Sequence, residues 1–159
     1  MGTKNTDLVA NFEASPSVAN SATELHGVVR TAHGTVELAS GDSDDNDIVM
    51  LAPIPSKAAV PSLFIGSDTL GGSCTFNVGI YTSAGVVKDE DVFASLVADA
   101  AGMADVRFEA ANIDTAGKKM WELAGDSSDP GGYYYVAATM AADGQTAGTM
   151  SWNISYVVN

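Results

Sequence analysis

The chain has 159 residues, 46% of them apolar and 17% charged, enough for one domain whose core needs no disulfide or metal staple. Seven basic residues stand against twenty acidic ones, for a net charge of −13. That balance excludes the Lys/Arg footprint that displaces counterions from nucleic acid, and it disfavours anionic membrane surfaces. No apolar run approaches the length of a transmembrane helix, and no apolar stretch near Met1 resembles the core of a signal peptide.

Residues 1–25 are polar, small and aperiodic, with Asn5, Thr6, Asn11, Ser15, Pro16, Ser17 and Asn20 among them. Such a segment cannot bury enough apolar surface to order itself alone, which predicts an extended arm, either disordered or pinned against a neighbouring subunit. Leu8, Val9 and Phe12 are its candidate anchors. A single β domain is expected over residues 26–159. Gly27–Thr31 and Gly34–Leu38 read as two short strands paired across Ala32-His33. An acidic loop over residues 41–47 leads into Ile48–Ala52, an unbroken apolar run expected to be buried on both faces. Pro53, Pro55 and Pro61 confine Ile54–Val60 to an edge or a crossover.

Ser62–Gly66 and Thr75–Tyr81 are the next strands, the second alternating with Phe76, Val78 and Ile80 on one face. Ser83-Ala84-Gly85 makes a turn. The acidic start at Asp89-Glu90-Asp91 and Gly102 as a cap predict one helix over Asp91–Ala101. Met120–Leu123 is short, and Gly125–Gly132 is a loop built on the Asp129-Pro130-Gly131 turn. Tyr133–Thr139 and Thr149–Val157 close the chain as strands, with Met150, Trp152, Ile154 and Tyr156 facing inward. Eight or so short strands separated by Gly- and Asp-rich turns predict a mainly β, jelly-roll-like β-sandwich with one short helix and an extended N-terminal arm.

Few residues are arranged for chemistry. Asp42, Asp44 and Asn46 alternate like the first ligands of a calcium loop, but Asp47 stands where that loop needs glycine and Pro53 where it needs glutamate. A solvated turn is the expectation. His26 and His33 lack a partner spacing for zinc, and Cys74 lies in an apolar alternation that reads as core. There is no Gly-x-Ser-x-Gly elbow, P-loop or dinucleotide fingerprint, so no catalytic, cofactor or metal residue is assigned. Paired carboxylates of a hydrolase are not excluded by so acidic a chain. Trp121, Trp152 and the Tyr133–Tyr135 run are the residues from which a sugar-stacking platform would be built.

Several stretches resemble small virion proteins of tailed phages, many of them marine. They are Lys4–Ala14, Gly41–Ala52, Val78-Gly79-Ile80-Tyr81, Val87-Lys88-Asp89 and Phe93-Ala94-Ser95. The resemblance spans roughly residues 4–100 and carries no catalytic residue. It implies a capsid decoration or cement protein on the outer face of the head shell, bound to the major capsid protein and stabilising it. Self-association is implied too, with a trimer the form that suits a threefold lattice position. The alternative in a different class is a carbohydrate- or host-binding module of the virion surface.

Overall fold

The computed structural model describes residues 5–21, 25, 27–99, 102–109 and 113–158. Among the described residues eight strands run through the body: β1 (Val29–Leu38), β2 (Ile48–Pro55), β3 (Ala58–Ser67), β4 (Thr75–Tyr81), β5 (Val87–Ala98), β6 (Ala104–Asp105), β7 (Tyr133–Met140) and β8 (Gly148–Val158). Their pairing is that of one long hairpin. First meets last in β1·β8, and β2·β7, β3·β6 and β4·β5 follow inward, all antiparallel. Rolling that hairpin adds the contacts β3·β8 and β4·β7, which split it into two four-stranded sheets of order β1-β8-β3-β6 and β2-β7-β4-β5. This is the jelly roll expected from the sequence.

The two inner faces supply the core. Leu63, Ile65, Met150 and Ile154 come from one sheet, and Phe76, Val78, Ile80, Val136 and Met140 from the other, all at most 1% exposed. Cys74 is buried among them, its Sγ 3.9 Å from the Met140 sulfur. Burial raises the Cys74 thiol pKa, with Asp99 and Asp143 adding to the rise, so it stays a neutral core thiol. Met150 and Ile154 face inward as expected, whereas Trp152 and Tyr156 are only partly covered.

Three local expectations are corrected by long-range pairing. Residues 29–38 form one strand rather than a hairpin, because ten consecutive positions pair with β8 without a break. Gly34 is glycine for close approach: a Cβ there would lie 2.6 Å from the Trp152 ring that crosses it. Asp91–Ala101 does not open a helix; its residues to Ala98 belong to β5, with Phe93 and Ala94 fully buried. The backbone there is taken up by side chains of other elements. Asn77 Oδ1 accepts from Leu96 N at 2.9 Å, and Glu109 Oε2 accepts from Ser95 N at 2.7 Å. Finally, β2 is not buried on both faces. It lies at a sheet edge, and Ile48 and Met50 reach solvent.

The prolines sit where the ladder tolerates them. Pro53 and Pro55 fall on the edge strand β2, and Pro61 falls where the β3·β8 register shifts between Ala59 and Ser62. The helices lie elsewhere than expected. α1 (Asp7–Glu13) is in the arm, which is therefore not extended throughout, and α2 (Met120–Leu123) is a single turn beside β3.

Candidate functional site

The arm brings its three predicted anchors onto one helix face. Leu8 and Phe12 are one turn apart on α1, with Val9 beside them, so they form an apolar stripe. None is buried; Phe12 is 71% exposed. With Thr6 and Leu25 they line an open groove of about 410 Å³. The helix is folded back on the segment that follows it. Asn11 Nδ2 donates to Asn20 Oδ1 at 2.9 Å, Asn20 Nδ2 to Leu8 O at 3.1 Å, and Val18 N to Asn11 O at 3.0 Å. The polar residues that argued for disorder thus knit the arm together, and its apolar side is left outward.

The acidic loop is organised by its own backbone. Asp42 accepts from Ala39 N at 2.9 Å and Asp47 from Asp44 N at 3.0 Å, while Asp143 accepts from Asp45 N at 2.8 Å. Asn46 takes a left-handed conformation at φ 70° and donates to the Asp45 carboxylate. Of the three alternating side chains, Asp42 and Asn46 are engaged within the turn, and among the described residues no group of three or more His, Cys, Asp or Glu is placed to hold a metal ion. His33 is exposed on β1, and His26 lies outside the described residues.

The rolled topology gathers charge that is scattered in the sequence. The connections over 39–47, 68–74 and 141–147, together with Asp99, meet at one end of the sandwich. They hold Asp42, Asp44, Asp45, Asp47, Asp68, Asp99 and Asp143, and none of these segments contains lysine or arginine. Arg30, Lys57 and Lys119 lie at the opposite end, where β1, β3 and β8 pair at Val29, Ala59 and Val157, and Lys57 there lies 3.8 Å from Asp129.

The aromatic residues do not make a platform. Trp152 packs across Gly34, Trp121 is half-buried on α2, and Tyr134 is buried. The Tyr134 hydroxyl donates to Asp126, which also receives Lys88 Nζ at 2.8 Å. The Lys88 and Tyr134 hydrogen bonds hold the Asp126 carboxyl below the usual carboxylate range. Burial, with Asp126 and Asp129 adding to it, pushes the Tyr134 phenol up to about 12. Tyr133 is 62% exposed beside this cluster, in a cleft of about 280 Å³ that Thr82 and Ser83 also line.

Sequence reading missed Arg107, which is fully buried. Its guanidinium lies 5.0 Å from the Phe93 ring centroid and 4.6 Å from that of Phe108. Nε donates to Val60 O at 2.6 Å and Nη2 to Thr115 O at 3.1 Å. Burial lowers its pKa to about 10, opposed by Asp105, so it remains a cation at neutral pH. It ties the long β6–β7 connection to β3. A lone arginine with no periodic pattern around it carries no signal of this in sequence.

No protein-family model and no curated protein matches the chain. Among solved structures it is similar to a chain titled as the capsid of Ralstonia phage GP4, at 19% identity and a TM-score of 0.58, over 84% of this chain and 86% of that one. It is also similar to a chain of the cyanophage Pam1 capsid asymmetric unit, at 14% identity and a TM-score of 0.51, over 84% and 86%. At such identities the likeness is one of fold: the jelly roll built here recurs in chains of two phage capsids.

Proposed function

We propose that this chain is a structural protein of a phage virion, a decoration or cement protein that binds the major capsid protein on the outer face of the head shell. The carrying observation is the likeness of its jelly roll, over most of the chain, to chains in the GP4 capsid and the Pam1 capsid asymmetric unit. The resemblance of Lys4–Ala14 and Gly41–Ala52 to small phage virion proteins points the same way. The arm supports a docking role: Leu8, Val9 and Phe12 present an apolar stripe in which Val9 and Phe12 are exposed and Leu8 is half-buried. A partner that covers this stripe removes apolar surface from water, about 25 cal/mol for each Å². A molecule that binds only the assembled shell stabilises it by mass action, and repeated weak contacts on a lattice add through effective concentration. In this reading the chain performs no chemistry, and Lys88, Asp126 and Tyr134 satisfy one another as structure.

The test is cosedimentation of the purified chain with empty head shells, followed by imaging that places it. Saturable binding to the outer face is expected. Failure to bind shells, or a place inside them, refutes it. Tyr133 and its cleft favour a second reading, a carbohydrate-binding module of the virion surface. A glycan array separates the two, because a cement protein binds no sugar.

A further inference from the structure

Two open sheets have four edges, and an unpaired edge is a template for another strand unless something blocks it. Three of the four are blocked. β2 carries Pro53, Pro55 and a register shift between Met50 and Ala52. β5 is broken by three register shifts against β4. β6 is two residues long. β1 has none of these devices. It is ten residues long, contains no proline, and pairs with β8 at every position from Val29 to Leu38. Among the described residues nothing pairs with its other side, and nearly all of the strand is solvent-accessible.

We propose that the free edge of β1 is a pairing surface for the β1 of a second copy, antiparallel across a twofold axis. Charge selects this occupant and this direction. β1 runs from Arg30, the exposed cation on the strand itself at an end where Lys57 lies 3.8 Å from Asp129, to Glu37 and the Asp42–Asp47 loop. A parallel copy would stack the acidic loops on each other. An antiparallel copy lays the Arg30 end of each chain beside the acidic loop of the other, at both ends at once, and holds the two acidic ends about 33 Å apart. A twofold contact is self-complementary, so one unguarded edge suffices. Successive residues turn their N–H and C=O groups to alternate sides, so ten opposed residues form about ten interstrand hydrogen bonds. The result is a continuous eight-stranded sheet, two copies of β1-β8-β3-β6 joined at β1. This is a twofold arrangement, in place of the threefold one expected from lattice geometry.

The experiment uses the full chain. Sedimentation equilibrium over a wide concentration range is expected to show a transition from 16.3 kDa to twice that mass. Hydrogen exchange of β1 peptides, followed over the same range, is expected to slow at alternate amides as the dimer forms. Thr31→Pro and Ala32→Pro form a pair of variants, because adjacent N–H groups face opposite sides of the strand. One of the two removes a free-edge donor without touching the β8 ladder. That variant is expected to keep the thermal transition and remain at 16.3 kDa. Four results overturn the proposal: a monomer at every concentration, a trimer with unprotected β1 amides, a dimer that survives in the folded proline variant, or protection of β1 that appears only when shells are added. The last would assign the edge to a strand of the shell. Where both variants unfold, the concentration dependence of exchange in the unmodified chain decides.

Discussion

Gly79 lies in the middle of β4, and the backbone of the neighbouring strand crosses directly over it. A Cβ at this position would stand 2.2 Å from Asp89 O, 2.3 Å from Glu90 C and 2.4 Å from Glu90 O. Carbon contacts settle near 3.5 Å, so Gly79→Ala requires the Asp89-Glu90 backbone to withdraw by roughly 1 Å. That segment is not free to move. Ile80 is paired with Asp89, and Asn77 Nδ2 donates to Glu90 Oε1 at 3.0 Å while its Oδ1 holds Leu96 N. Overpacking costs about 1–3 kcal/mol. Loss of the bond to the Glu90 carboxylate adds about 1.5–3 kcal/mol. The expected destabilisation is therefore about 2.5–6 kcal/mol, which lowers the melting temperature by roughly 5–24 °C in a chain of this size. Thermal unfolding followed by circular dichroism or calorimetry measures it. Gly41→Ala, where nothing lies within 4 Å of the added carbon, is the control and is expected to change little. A Gly79→Ala protein within about 0.5 kcal/mol of the parent, the range of an ordinary surface substitution, would show that β5 gives way freely and would refute the close-approach account.

Phe12→Asp is expected to weaken shell binding at least tenfold while leaving the thermal transition in place, because Phe12 is exposed and contributes nothing to the core; an unchanged affinity in cosedimentation removes the arm as the anchor. Chelator treatment is expected to leave the melting temperature unchanged, since Asp42, Asp47 and Asp143 are engaged by backbone N–H groups; a large fall would mean a structural cation in that loop. Tyr134 has its folded pKa raised to about 12, above the ordinary value of 10, so the neutral phenol favours the fold. The stability it contributes is fully present below pH 10 and is lost as pH rises through about 12. Burial raises the Tyr81 phenol as well, so ultraviolet titration of tyrosinate is expected to show late ionisation that loses one residue's amplitude in Tyr134→Phe, and an unchanged late amplitude would sink the assignment. Shell binding is expected to survive from dilute buffer to seawater salt, because steering between exposed charges is screened beyond about 8 Å whereas apolar contacts are not; loss of nearly all binding at the high end would make charge the main attraction.

Much of the architecture was legible in the sequence because it rests on short-range rules. Alternation marked Thr75–Tyr81 and the last strand, Ser83-Ala84-Gly85 and Asp129-Pro130-Gly131 marked turns, and turn spacing led to a jelly roll. The acidic loop was legible as a turn, since its residue types cap backbone N–H groups locally. What tertiary structure alone decided concerns residues whose state is set by a distant partner. Ala32-His33 looks like a turn until ten residues of β8 pair across it, and Asp91–Ala101 looks like a helix until Asn77 and Glu109 accept from Leu96 N and Ser95 N within β5. Leu8, Val9 and Phe12 could be named as a set, but their placement on one face follows from the helix α1, which the polar, aperiodic composition of the segment does not signal. Arg107 is buried only because Phe93, Phe108 and Val60 converge on it from different segments. Strand pairing is non-local, so neither an open edge nor an acidic end exists until the long hairpin has rolled; composition could supply the net charge, and only the fold could decide where it lies.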